Sequence, residues 1–537
     1  MSRVGVGCVG CVGCVGCVGC VGCVPCVPCV GCVGCVPCVP CVPCVPCVPS
    51  ATGAAARKAV RKAVLTAALG GAVMAGAAPA RAGGLYVADR GVRPLARAGA
   101  FVAGADDPGA IAYNPAGLFD AGTQFLVDGS WVNWSSEYTR QARTQQLDPV
   151  TGEPVATYAR SFAAVEGSTP VLPIPTLAAS LRLSPTWAVG FGVWAPYAAL
   201  ASYPEEVNGE PAPQRYGLYN LDGSLLALVG GGVAYAPTPE LRFGAVLSVL
   251  TGTFTNQVAF SGCIPERLLC APEDPDWDGV AELSAGPIVA PTGQLGVQWA
   301  PVPAWHLGLS FQLPMWIRAG GTVRARLPSS PVFENARVEG EDVDVAFELP
   351  WVLRFGVESR VVENLRVELG VAWEHWGMHD TIRVTPDGVA VRGLPGFPDP
   401  FYVPEVTIAR NFRDAVSVRA GGEYGFDWLG KRWEARGGVS FETSAIPAAY
   451  LSVLTLDTPK VTAALGLGVH LGRFRFDATF ARVFGIGVDV TPEEARVTQV
   501  NPLRANPPEY PNYVNGGEYS ASANVIGLGA TYTLEAL

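Results

Sequence analysis

"LPWVLRFGVESRVVENLRVELGVAWEHWG", Leu349 to Gly377, contains two runs of alternation joined by a short polar turn. In Trp351–Glu358, the residues Trp351, Leu353, Phe355 and Val357 alternate with Val352, Arg354, Gly356 and Glu358. In Leu365–Glu374, Leu365, Val367, Leu369, Val371 and Trp373 alternate with Arg366, Glu368, Gly370, Ala372 and Glu374. Successive side chains on a strand point to opposite faces, so each run has one apolar face and one polar or small face. Trp305–Leu313 repeats the pattern, and from about Phe125 to Leu534 the chain is a series of such segments, each followed by a turn.

A soluble sandwich alternates too, with its apolar face inward. Three features point instead to strands in lipid. The segments approach the roughly 9–11 residues needed to cross a tilted bilayer core. Trp187, Trp194, Trp305, Trp351, Trp373, Trp376, Trp428 and Trp433 fall near strand ends, where interfacial aromatic girdles sit. Short turns such as "APVPAW" and "VVEN" alternate with long loops such as Pro204–Gly223 and Thr385–Pro400. Backbone groups in lipid must all be paired, so such a sheet closes on itself. The reading is an all-β chain forming a transmembrane antiparallel β-barrel.

Composition agrees. Of 537 residues only 16% are charged, and Gly (64) and Pro (46) are abundant, yet no run from Gly83 onward matches the about 20 uncharged apolar residues of a spanning helix. A net charge of -10 argues against nucleic acid as a partner, because phosphate binding needs clustered Lys and Arg.

The N-terminus divides into parts. Residues 1–56 hold a tandem Val-Gly-Cys or Val-Pro-Cys triplet, Cys8 through Cys47. Such Cys spacing reads either as a metal or disulfide tract or as a translated DNA repeat. The second is favoured, because no break in the period builds a separate four-ligand site. Residues 57–82 read as a signal peptide. Arg57, Lys58, Arg61 and Lys62 precede an apolar stretch from Val64 to Ala78, and Ala80-Arg81-Ala82 has the small-x-small form of a cleavage site. The mature chain is expected to begin at Gly83 and to lack the Cys repeat. The remaining cysteines, Cys263 and Cys270, suit a disulfide in an oxidising compartment.

Between signal and barrel, residues 83–124 contain "GAFVAGADDPGAIAYNPAGL", Gly99 to Leu118. Its turn formers, Asp106-Asp107-Pro108 and Asn114-Pro115-Ala116-Gly117, suit neither a core helix nor a strand pair. Together with Leu349–Gly377, "NFRDAVSVRAGGEYGF" and the terminal "YVNGGEYSASANVIGLGATYTL", this stretch resembles the outer-membrane long-chain fatty-acid and hydrocarbon transporters of the FadL/TodX family.

The resemblance implies a barrel of about 14 strands over 125–537, with residues 83–124 folded inside the lumen as a hatch. Asp106, Asp107, Asn114, Pro115 and Ala116 are its expected gate elements, with Asn114 and Pro115 holding its last turn against the wall. It further implies passive uptake of hydrophobic compounds such as long-chain fatty acids. Ligand would be captured between extracellular loops, pass to a pocket beside the hatch, and leave through the wall after the hatch shifts. Leu85 and Tyr86 fall where ligand contact is expected. Gly190 and Gly192 either leave room for a wall opening or let the plug fit closely. No cofactor or metal is implied, and the expected partners are hydrophobic small molecules, outer-membrane lipid and lipopolysaccharide, with the protein a monomer in the outer membrane. Two features depart from the family. The chain ends "TLEAL" instead of in an aromatic residue, and its inner face carries many charges, expected to line water-filled space.

Two rival functions are weighed. A lipid hydrolase would need a catalytic constellation. His375 and His379, with Glu374 and Asp380 nearby, are expected on one strand about 13 Å apart, too far for one metal. His306 and His470 lack a nearby Gly-x-Ser-x-Gly. A general diffusion porin would lack the hatch.

Overall fold

The computed structural model describes residues 89–534, apart from 148–153, 170–172, 198–200, 266–267, 269, 272 and 505–510. The Cys repeat, the signal segment, Leu85 and Tyr86 lie outside the described residues. Among the described residues no helix is long and apolar enough to cross a membrane.

Strands follow in chain order: β1 (Gln124–Leu147), β2 (Pro173–Arg182), β3 (Trp187–Tyr197), β4 (Leu225–Tyr235), β5 (Leu241–Ser261) and β6 (Asp278–Val302). β7 (Trp305–Gln312) continues past Leu313-Pro314 as β8 (Met315–Arg326), and β9 (Asp342–Leu349) continues past Pro350-Trp351 as β10 (Val352–Ser359). β11 (Leu365–Glu374), β12 (Thr381–Pro386), β13 (Val406–Ala409) and β14 (Ala415–Trp428) follow. β15 (Lys431–Glu442), β16 (Lys460–Leu471), β17 (Phe474–Gly485) and β18 (Gly517–Thr533) follow, and further short strands lie in the connecting segments.

Antiparallel ladders run β1 through β7, then β10, β11 and β14 through β18. β18 returns to β1 from Gln124↔Thr533 to Arg140↔Gly517, which closes a barrel of 14 strands. Above this ring a second tier, β6–β8–β9–β12–β13, extends one side of the wall toward the long loops.

The period-two pattern decides which face meets lipid. On β11, Val367, Leu369, Val371 and Trp373 are 41%, 61%, 42% and 41% exposed, whereas Glu368, Gly370, Ala372 and Glu374 are buried in the lumen. A sandwich would reverse that order, with the apolar face covered. Trp187, Trp305 and Trp428 face outward at the short-turn end. Cys263 and Cys270 are joined by a disulfide in the loop after β5.

Two expectations need correction. Trp194 and Trp376 are not girdle residues, for both are buried. Trp194 shares the inward phase of Gly190 and Gly192. Trp376 belongs to a 3-10 turn, Trp376–Met378, not to a strand. For the same reason His375 and His379 do not share a strand face. β11 stops at Glu374, because the Gly377 N–H donates to the Asp414 carboxylate at 3.1 Å instead of joining a ladder, and the two histidines flank the turn.

Candidate functional site: a clamped hatch and an apolar cavity

Residues 89–123 fill the lumen. They form a helical turn α1 (Val92–Ala96), 3-10 turns at Pro108–Ala112 and Pro115–Gly117, and a second helical turn α2 (Leu118–Ala121). Each 3-10 turn starts with Pro and is capped by the preceding side chain. Asp107 accepts from Gly109 N–H at 2.9 Å, and Asn114 accepts from Ala116 N–H at 3.2 Å. The turn chemistry seen in sequence is therefore local capping, and it leaves the remaining polar atoms of these caps free to reach the wall.

Asn114 Nδ2 donates to the carbonyls of Val102 and Val297, both at 3.0 Å, tying the hatch's last turn to itself and to β6. Pro115 and Ala116 pack on Gly244, where an added Cβ would lie 2.2 Å from Ala116 N. Gly190 and Gly192 face hatch side chains as well: an added Cβ would meet Leu118 at 2.8 Å and Ile111 at 3.1 Å. The same holds at Gly308 against Val102 and at Gly421 and Gly438 against Arg97. A girdle of inward glycines lets the hatch backbone approach the wall.

The inner charges do not line water-filled space, as expected from sequence; they hold the hatch. Arg97 reaches Glu358 at 2.8 Å and Glu368 at 3.2 Å, with all three side chains fully enclosed. Glu368 also accepts from the N–H groups of Val102, Ala103 and Gly104 at 2.7, 3.0 and 2.9 Å. Asp106 pairs with Arg93 at 2.5 Å and Arg366 at 2.7 Å, and Asp107 with Arg93 at 3.2 Å and Arg475 at 3.1 Å. Burial opposes ionisation of Asp106, but Arg366 and Arg93 outweigh it and hold its carboxyl well below the usual range. Enclosed ions are tolerable only when paired, and every charge of this network faces an opposite one, although Nε and Nη1 of Arg97 make no hydrogen bond.

Against the hatch lies an apolar cavity whose empty space, counting the part open to solvent, is about 1190 Å³. Leu226, Phe254, Phe347, Leu349, Trp376 and Phe412 line it, and they or their neighbours pack in one cluster with Phe101, Tyr113 and Leu118 of the hatch. Its polar lining is mostly neutralised. Lys460 bridges Asp457, at 2.8 Å, and Glu442. Glu374 accepts from the Trp376 indole at 2.8 Å.

Arg410 differs. It is 2% exposed, its guanidinium donates to Thr455 Oγ1 at 3.3 Å, Nε has no partner, and no carboxylate among the described residues pairs with it. Burial alone pushes its guanidinium down to about 10. His379, also lining the cavity, is pushed down to about 4 by burial and then by Arg410, so its ring is neutral and Nδ1–H donates to the Glu348 carbonyl at 2.6 Å. Sequence reasoning did not find Arg410. It sits between strands in "TIARNF", and only the folded neighbourhood shows that its charge is unmatched.

A closed barrel with lipid-facing apolar strands, a lumenal plug and an apolar internal cavity defines an outer-membrane channel for hydrophobic compounds. Residues 72–534 match the family of outer membrane protein transport proteins (OMPP1/FadL/TodX), and the chain belongs to that family. No curated protein matches it in sequence. Among solved structures it is similar to a Pseudomonas aeruginosa FadL homologue, with TM-score 0.63 and 14% identity over 84% of this chain and 99% of the other. It is also similar to the P. putida toluene transporter TodX, with TM-score 0.53 and 15% identity over 85% and 99% of the two chains. The CymD monoaromatic hydrocarbon channel gives TM-score 0.50 and 14% identity over 82% and 97%. These likenesses concern the fold.

Proposed function

We propose that the protein takes up hydrophobic compounds with an anionic head, such as long-chain fatty acids, passively across the outer membrane. Capture between the extracellular loops leads to the cavity beside the hatch, a rearrangement of the hatch's N-terminal part follows, and the ligand exits laterally through the wall. The observation that carries this reading is the apolar cavity with one unmatched cation, Arg410. A buried guanidinium without a counterion costs several kcal/mol, and a ligand carboxylate would offset that cost through charge-assisted hydrogen bonds.

Neutral aromatic hydrocarbons, suggested by the toluene transporter and the monoaromatic channel, would leave Arg410 unmatched. A general diffusion porin is disfavoured by the filled lumen. In keeping with the route, we infer that residues 57–82 direct export and are removed, that residues 1–56 are absent from the mature protein, and that it works as a monomer amid outer-membrane lipid and lipopolysaccharide. The test is uptake by a deletion strain expressing the protein, offered hexadecanoate or an alkylbenzene of similar length. Preference for the acid supports the reading, and equal or better uptake of the alkylbenzene refutes it.

A further inference from the structure

The cavity beside the hatch holds a second polar group that the rest of the protein leaves unused. Asn256 lies on β5, two residues after Phe254 and directly across the β5–β6 ladder from Leu283, and all three line the cavity. It is only 8% exposed, yet its Oδ1 has no hydrogen-bond partner, and among the described residues its Nδ2 donates to none. Other buried asparagines tie the structure together. Asn114 joins the hatch to β6, and Asn515 donates to the carbonyls of Ala449 and Leu451, both at 2.9 Å. Asn256 holds nothing in place.

The remaining polar groups of the lining are served within the protein. Glu374 has the Trp376 indole, Lys460 has Asp457 and Glu442, His379 has the Glu348 carbonyl, and Asp457 also accepts from the Ala445 N–H at 2.8 Å. Among the described residues that line the cavity, only Arg410 and Asn256 keep an enclosed side-chain polar atom without a partner.

These two groups stand apart. Arg410 directly follows β13, and the wall between runs β5–β6–β8–β9–β12–β13. Five strand spacings separate them, roughly 24 Å along the curved wall. They therefore meet different parts of one ligand: a head at Arg410 and a point farther along the chain at Asn256.

The chemistry at Asn256 selects what that point carries. Water entering the open cavity can serve the amide while no ligand is present. A plain acyl chain laid over it would strip that water and return nothing, leaving a buried polar group unpaired. A hydroxyl both donates and accepts through one oxygen, so it satisfies Asn256 whichever way the amide is turned. The N–H and C=O of a trans amide point in opposite directions and cannot both meet one side chain.

We infer that the cavity is built for long-chain acids that bear a hydroxyl along the chain, with the carboxylate at Arg410 and the hydroxyl at Asn256. The inference rests on the uptake reading above and narrows its substrate class.

Oleate and ricinoleate test it, since the second is the same acid with a hydroxyl added in mid-chain. Binding of each is measured by titration calorimetry on protein purified from outer membranes, unmodified and as Asn256→Leu, which keeps the side-chain size and drops both polar atoms. The unmodified protein should bind ricinoleate roughly tenfold more tightly, the worth of one hydrogen bond to an enclosed group. Asn256→Leu should weaken ricinoleate by about the same factor and leave oleate unchanged or tighter, so oleate binding also reports that the cavity is intact. The inference is refuted if the unmodified protein does not prefer ricinoleate, or if the preference survives in Asn256→Leu. It is refuted as well if the variant loses both acids alike, which would make Asn256 a structural residue. If neither acid binds the unmodified protein, the uptake reading itself fails; if oleate binds without the preference, only the hydroxyl assignment falls.

Discussion

Replacing Arg410 by Met keeps most of the side-chain volume and removes the unmatched charge. Burial lowers the guanidinium from its ordinary value to about 10, a differential of roughly 3 kcal/mol against the charged form. Arg410→Met should therefore stabilise the empty protein by up to about 3 kcal/mol, less the packing lost around Thr455. The ligand side has the opposite sign. A carboxylate held by charge-assisted hydrogen bonds gains about 1.5–3 kcal/mol from them, so the variant should bind hexadecanoate roughly ten- to a hundredfold more weakly. Binding of hexadecanol, with the same chain and no charge, should hold or tighten. Urea unfolding in lipid vesicles measures the first effect and titration calorimetry of both ligands the second. Equal loss of acid and alcohol would mean that Arg410 shapes the cavity instead of reading the head group, and loss of neither would mean that ligand does not reach it.

The hatch and the turn around His379 give further tests. Gly421→Ala would put a Cβ 2.2 Å from the Arg97 carbonyl, displacing the clamp, and should raise planar-bilayer conductance; Gly370→Ala, whose nearest foreign atom is at 3.6 Å, should not. Deleting residues 83–118 should leave a barrel that assembles and conducts small ions more freely than the intact protein. Asn114→Ala strips two carbonyls and one N–H of their partner, at roughly 1–3 kcal/mol for each group left buried, and should lower uptake while the channel stays closed to ions. His379 has a folded value of about 4, below the usual 6.5, so its contribution is complete above pH 6.5 and is lost as pH falls through 4, at most roughly 3 kcal/mol. Hydrogen exchange in Trp376–Met378, corrected for intrinsic rate, should accelerate over that window, and His379→Gln should flatten the response.

The strands were legible because a two-residue period survives any tertiary context that keeps one face in lipid. β11 was read at both ends, Leu365 and Glu374, from alternation alone. The hatch was legible through its company of motifs, since Asp107 and Asn114 advertise caps but not what the caps lean on. Trp376 was misread because a Trp near a strand end looks the same whether it faces lipid or a cavity, and the Asp414 carboxylate that turns the chain comes from the far side of a long loop. The glycine girdle needed the register of many strands at once. The inner charges were seen, but their partners on the hatch lie some 260 residues earlier, as Arg97 does from Glu358, and no local pattern encodes that pairing.

The enclosure of Arg97, Glu358 and Glu368 also fixes how the plug responds to its surroundings. Counterions screen charges that they can approach, over about 8–10 Å at ordinary ionic strength, and none can approach side chains with no exposed surface. A protein of the outer membrane faces media that range from nearly salt-free to saline. A plug held by surface ion pairs alone would loosen and tighten with every such change; the grip of Arg97 on Glu358 and Glu368 changes far less, and the part-exposed Asp106–Arg366 pair is left open to salt.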